Sequence, residues 1–192
     1  MKSSNQLIPE RNKMNSMKHK IWFITFFVLM QTNSFTQHTI SREELRPLNF
    51  LAGEWDVDVD ARLSKQGPWE KSKARSVIKS AIGETIFEEE YAGTKQGHSL
   101  SVKSWLGNDN RTKLYQRVAV DSDHGVLIVF EGKLENNLLT LHASLHLNEV
   151  HLLQRIQYRF ISNETFTIES FRSVDEGQTW DRTRILKYTR IK

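Results

Sequence analysis

Arg184, Tyr188 and Arg190, close to the C-terminal end of the chain, are spaced to do chemistry together. If residues 179–191 form a strand, side chains two apart share a face, so Trp180, Arg182, Arg184, Leu186, Tyr188 and Arg190 lie on one side. A guanidinium beside a phenol makes a carboxylate clamp, because its planar fork donates two parallel hydrogen bonds to two oxygens. Arg117 with Tyr115 repeats the pairing. Within the run Glu88–Glu90, alternation places Glu89 with Phe87 and Tyr91, pointing inward. An inward carboxylate would supply the counter-charge that a buried arginine needs. The competing arrangement leaves these arginines outside, paired with carboxylates on neighbouring strands, which is the commoner fate of arginine.

Other chemistry-bearing residues lead to exclusions. Asp56, Asp58 and Asp60 invite a calcium reading, but the sixth position counted from Asp56 is Ala61 and the twelfth is Gly67, so the EF-hand pattern fails. On a strand these carboxylates lie about 6.6 Å apart along one face, a solvated outer surface. The body holds His98, His124, His142, His146 and His151. His142 and His146 would stand about 13 Å apart on a strand, too far to chelate one ion. No metal-ligand spacing, phosphate loop, dinucleotide fingerprint or G-x-S-x-G elbow is present, so no metal or cofactor is implied. There are no cysteines, which removes disulfides, thiolate sites and a lipidated N-terminal Cys.

The elements that must position these residues follow from periodicity. Ser41 with Glu44 forms a capping box ahead of a short helix near Glu43–Leu51, ended by Gly53. From Trp55 the period changes to two: Trp55, Val57, Val59, Ala61 and Leu63 alternate with acids and Arg62. Nine further alternating runs follow, each bounded by turn residues, ending with Thr179–Ile191. About ten antiparallel strands in an unbroken meander would leave two bare edges, and closing into an up-and-down barrel removes both. The expected fold is therefore all-β, with one short N-terminal helix.

Charge and the leader give an address. The 192 residues carry 27 Lys and Arg against 23 Asp and Glu. The first 36 residues hold five of those cations (Lys2, Arg11, Lys13, Lys18, Lys20) and one acid, Glu10. Residues 37–192 are then neutral overall, so the basic excess is no nucleic-acid footprint. Ile21–Met30 is uncharged, follows Lys18 and Lys20, and precedes the small-x-small triplet Ser34–Thr36. That is the pattern of a signal peptide over 1–36, and the run is about half the length of a membrane-spanning helix. The expected product is a domain over 37–192, exported to the periplasm or beyond, with no stable membrane span.

Two motifs carry a resemblance. Leu48–Trp55 reads L-N-F-L-A-G-E-W, and Ser173–Trp180 reads S-V-D-E-G-Q-T-W, followed by Tyr188-Thr-Arg190. The chain resembles a bacterial domain-of-unknown-function family of exported, calycin-like barrels, akin to lipocalins and fatty-acid-binding proteins, which opens L-x-x-L-x-G-x-W. The resemblance implies a fold and suggests a binding role; it names no activity. Fatty-acid-binding barrels also use an Arg and Tyr pair in their terminal strands, a loose likeness to Arg184 and Tyr188. Structural roles fall to Gly53, which lets the helix end pack closely, and to Trp55, which plugs a barrel end. Ser173, Asp175, Gly177 and Trp180 form a hairpin clamp, with Asp175 bonding turn N–H groups and Gly177 taking positive φ.

These readings converge on an exported binding protein for a small hydrophobic molecule with a polar or acidic head, held near Arg184, Tyr188, Arg190, Glu89 and Arg117. The alternatives are a side-chain-filled barrel with a structural or partner-binding role, and an enzyme acting inside the barrel. The last lacks a recognisable nucleophile–base pair.

Overall fold

The computed structural model describes residues 46–147 and 150–192. Ten strands follow one another: β1 Gly53–Ala61, β2 Glu70–Ala81, β3 Ile86–Lys95, β4 His98–Asp109, β5 Leu114–Asp121, β6 Ile128–Glu135, β7 Leu138–Leu147, β8 Val150–Ser162, β9 Thr165–Ser173 and β10 Asp181–Arg190. Each pairs antiparallel with its neighbour in sequence, and β1 pairs with β10, so the sheet closes into a barrel with no free edge. The closing register sets Trp55 opposite Arg190, Val57 opposite Tyr188 and Ala61 opposite Arg184.

The helical segment expected over 43–51 is a 3-10 helix, Arg46–Leu51. The Ser41–Glu44 capping box and the leader lie outside the described residues. Among those described, no helix is long and apolar enough to cross a membrane. Strand ends also differ from expectation. β3 runs to Lys95, past the Ala92 end that alternation predicts and into the turn expected over Thr94–Gly97, and at Gly93 a Cβ would lie 2.7 Å from that of Ala74.

Alternate connections of an up-and-down barrel lie at the same end. One end carries the 3-10 helix and the tight turns that follow β2, β4, β6 and β8. It is closed: Leu48 and Leu51 of the helix are fully buried beside Trp55, Phe166 and Tyr188. Trp55 donates its indole N–H to the Leu51 carbonyl at 2.9 Å and meets Phe166 edge-on at 4.8 Å. The Phe166 and Tyr188 rings stack at 4.3 Å. The plug role expected of Trp55 is therefore filled by a tryptophan, a helix and two stacked rings together.

Gly53 and Arg190 hold this plug in place. Arg190 donates from Nη1 to the Ala52 carbonyl at 3.0 Å, from Nη2 to that of Phe50, and from Nε to that of Asn163 at 3.1 Å. Its guanidinium lies 4.3 Å from the Trp55 ring centroid. A Cβ at position 53 would overlap that guanidinium, and φ at Gly53 is +150°. Glycine is required there on both counts.

Candidate functional site

The barrel interior divides into a polar knot at mid-depth and, toward the end opposite the plug, a section lined by smaller side chains, the cup. In the knot, Glu89 on β3 accepts hydrogen bonds from Ser76 Oγ at 2.8 Å, Tyr188 OH at 2.8 Å and Ser104 Oγ at 3.0 Å. Arg117 on β5 places Nη2 3.6 Å from the second carboxylate oxygen of Glu89. Four strands thus send polar side chains to one buried carboxylate, which is what a charge inside a protein demands. Burial pushes the Tyr158 phenol up to about 12, and the neighbouring Glu89 charge adds to the rise while Arg117 opposes it. Tyr188 is raised further, first by burial and then by Glu89 and Tyr158. Both phenols stay protonated, and Tyr188 donates to Glu89. Burial alone would weaken the Arg117 cation, but Tyr158, Glu89 and Tyr188 together hold its pKa above the ordinary value. Its Nε is buried without a hydrogen-bond partner.

Above the knot the wall changes character. Inward positions toward the other end are Ala61, Ala74, Gly93, Ala119, Ala143 and Ser170, all small, and most are partly accessible to solvent. Arg184 stands among them, opposite Ala61 and Ser170. Among the described residues its guanidinium makes no hydrogen bond and no ion pair. Its charge lowers the pKa of Tyr91, partly offsetting the rise that burial imposes on that phenol. Gln154 and Arg172 continue the polar lining on β8 and β9, whereas Leu100, Val102, Ile128 and Leu145 give β4, β6 and β7 apolar inward positions.

The clamp expected of Arg184, Tyr188 and Arg190 is therefore three separate devices. All three side chains share the inward side, as parity requires, but strand rise puts Arg184 about 13 Å from Tyr188 and Arg190 about 7 Å beyond it. Tyr188 serves Glu89, and Arg190 is taken up by the plug. Glu89 points inward as alternation requires, yet its partner is Arg117 and not Arg184. Trp180 does not belong to the inward face. A register shift between Arg182 and Arg184 makes Thr183 an extra residue, and a bulge of this kind reverses the parity of everything before it. Trp180 packs on the outer wall, 4.3 Å from the Arg155 guanidinium and 6.0 Å from the His142 ring.

The hairpin clamp is built as its residues suggest. Asp175 accepts from Ser173 Oγ at 2.6 Å and from Thr179 N–H and Oγ at 2.9 and 2.6 Å, while Gly177 N–H donates to Ser173 Oγ at 2.9 Å. These bonds, that from Ser173 foremost, hold the Asp175 carboxyl down at about 2. Gly177 has φ +87°.

Asp56 and Asp58 stand outside and pair with Arg75 and Lys73. His142 and His146 are also outside. Among the described residues, no three His, Cys, Asp or Glu side chains converge as a metal site would require. One contact that spacing does not reveal is Ser144 Oγ with His151 Nε2 at 2.8 Å. That pair stands on the exposed outer wall, its imidazole stacked on His146 at 4.7 Å, and no described carboxylate orients the other ring nitrogen. It lacks the surroundings of a nucleophile.

A closed ten-stranded antiparallel barrel in which each strand pairs with its neighbour in sequence is of the calycin-like kind. The chain belongs to the family of proteins of unknown function DUF1579, whose pattern matches residues 41–190. Among solved structures it is similar to Rv2717c from M. tuberculosis, with TM-score 0.55 at 13% identity, covering 78% of this chain and 98% of that one. It is also similar to the S-type phycobiliprotein lyase CPES from Guillardia theta, with TM-score 0.50 at 10% identity, covering 74% and 89%. At these identities the likeness is one of fold. No curated protein matches the sequence.

Proposed function

We propose that this protein is an exported binding protein whose cup holds a small apolar molecule by an acidic head at Arg184. The observation that carries the reading is the state of Arg184: it faces inward, is ringed by small side chains, and has no partner among the described residues. A guanidinium in such a place favours an anion, and a carboxylate matches its paired donors. The apolar inward positions of Leu100, Val102, Ile128 and Leu145 suit the rest of an amphiphile. The phycobiliprotein lyase shows that a barrel of this shape occurs in a protein named for work on a larger molecule, and it lends support at the level of fold only.

Titration with a fluorescent fatty acid tests the proposal. Arg184→Met should weaken binding by about 2–5 kcal/mol, the usual cost of truncating one partner of a buried charged hydrogen bond. No binding by the wild type, or equal affinity in Arg184→Met, refutes it. The filled-barrel alternative is favoured by the closed half, where Trp55, Phe166, Leu139 and Leu141 are fully buried. It predicts no ligand at all. The export reading is checked separately: N-terminal sequencing of the mature protein should begin between Phe35 and His38.

A further inference from the structure

Charges on the outer wall are matched on one side of the barrel and left open on another. On β1 to β4, Asp56 pairs with Arg75, Asp58 with Lys73, and Glu88 and Glu90 with Lys103. On β8, Arg155 has no carboxylate partner among the described residues. It faces outward, in register with His142 on β7 and Phe171 on β9. Its guanidinium is flanked by the Phe171 ring at 4.6 Å and the Trp180 ring at 4.3 Å. Nε is buried without a partner, whereas Nη1 and Nη2, which bond no described residue, reach solvent. Burial holds the Arg155 pKa below its ordinary value, the mark of a cation stripped of water with no counter-charge to offset the loss. His142 beside it is lowered too, by burial first and then by the Arg155 charge. Fastening the Ser173–Trp180 hairpin to the wall accounts for the rings. It does not account for a bare pair of terminal donors next to an imidazole.

We propose that Arg155 and His142 form an oxyanion site, which takes the phosphate or carboxylate group of an organic ligand whose body lies in a groove along β7. The two terminal guanidinium nitrogens present parallel N–H donors at the spacing of two oxygens on one such group. The flanking rings hold the guanidinium in place, so little rotamer freedom is left to lose on binding. His142 adds a further donor, and a bound anion would stabilise its imidazolium. The groove has a volume of about 610 Å³ and begins at His142. It passes over Thr140 to Leu138, with Lys133 and Glu135 of β6 on one side and Arg159 of β8 on the other. Leucine side chains give it apolar contact, and Thr140 gives it polar contact. An inorganic anion would use the head of the site alone, and an organic ester the groove as well. The site lies on the outer wall and is independent of Arg184 inside the barrel.

At low ionic strength, titration of the protein with phenyl phosphate should shift the imidazole proton resonances of His142. Inorganic phosphate should do so with about tenfold lower affinity, for want of a body in the groove. Benzoate tested beside phenyl phosphate separates the two head groups, the tighter ligand naming the one the site takes. Arg155→Met should lower the affinity for the tighter ligand about tenfold or more, as loss of a charged hydrogen bond does. His142→Ala should lower it about threefold. Lys103→Met, on the matched wall, should change nothing. Absence of a shift with phenyl phosphate and benzoate alike overturns the inference, as does equal affinity in wild type and Arg155→Met, or an equal loss in Lys103→Met. Equal affinity for phenyl phosphate and inorganic phosphate also overturns it, since the groove would then hold nothing. Where Arg155→Met loses its near-ultraviolet circular dichroism, His142→Ala decides, because it leaves the Arg155 ring contacts in place: unchanged affinity overturns the site, and weakened affinity supports it.

Discussion

Arg184 and Arg190 stand on the same side of one strand, six residues apart, and the barrel uses them in opposite ways. Arg190 sits among large rings, and its donors are taken by the carbonyls of Phe50, Ala52 and Asn163. Arg184 sits among alanines and a serine, and nothing described takes its donors. The difference lies in the neighbours. Where inward positions carry Trp, Phe and Tyr, the interior is filled and every polar group must find a protein partner. Where they carry Ala, Gly and Ser, space is left and a charged group keeps its solvent or waits for a ligand. One half of this barrel is filled by rings and the other is lined by small side chains.

The sharpest way to break that contrast is at Glu89. Glu89→Ala leaves Arg117 buried without its counter-charge and strips three hydroxyls of their acceptor, which should destabilise the fold by about 3–5 kcal/mol in urea unfolding. Arg184→Met should fall within about 0.5 kcal/mol of wild type, because no native contact is lost. If the two substitutions cost the same, the division into halves is wrong. Next in size is Arg190→Met, which removes charged hydrogen bonds from three carbonyls and should cost about 2–3 kcal/mol. Combined with a substitution at Gly53 its effect should be non-additive, since both act on one contact. Smaller again is Trp180→Ala on the outer wall, at about 1 kcal/mol from the lost Arg155 contact, with no change in fatty-acid binding.

A pH titration sharpens the comparison without mutation. The Tyr158 phenol has its folded pKa raised to about 12 from an ordinary 10. The stability linked to it is whole below pH 10 and is lost as pH rises toward 12, because the unfolded chain releases the proton first. Phenolate absorbance near 295 nm should therefore appear together with loss of near-ultraviolet circular dichroism. Phenolate signal below pH 11 from a still-folded protein that Tyr158→Phe removes would show that the closed half is wet. Asp175 tests the opposite limb. Its folded pKa of about 2 lies below the usual 3.8, so its contribution is present above pH 4 and fades as pH falls toward 2. The hairpin amides of Gly177 and Thr179 should lose exchange protection over that range.

Much of this was legible in the residues because alternation is a local property. Trp55 through Ala61 announce a strand with one wet face, and the inward side of Glu89 follows from its place between Phe87 and Tyr91. Arg184, Tyr188 and Arg190 share one face by spacing alone. What a single strand cannot show is which partner crosses the barrel to meet it. Glu89 and Arg117 are joined by fold closure, and the tie from Arg190 to Phe50 spans most of the chain. Trp180 was misplaced because a bulge is a property of two strands. Thr183 carries no mark of being the extra residue until β9 is set beside it.

The seam between β1 and β10 has a consequence for how the protein is made. Its first and last strands are neighbours, so the barrel cannot shut until β10 has been synthesised, and the tie from Arg190 to the plug is among the most non-local contacts of the described residues. Loop-closure entropy makes such contacts late and slow to form. Until then nine strands exist as a curled sheet with β1 and β9 bare along their outer sides, a template for pairing with other chains. A truncation that removes β10 keeps every hairpin before the Asp175 turn, yet it takes away the closing strand, the plug latch and one donor to Glu89 together. Such a fragment should aggregate as an open sheet, because the last ten residues of the barrel are what leave it without a bare edge.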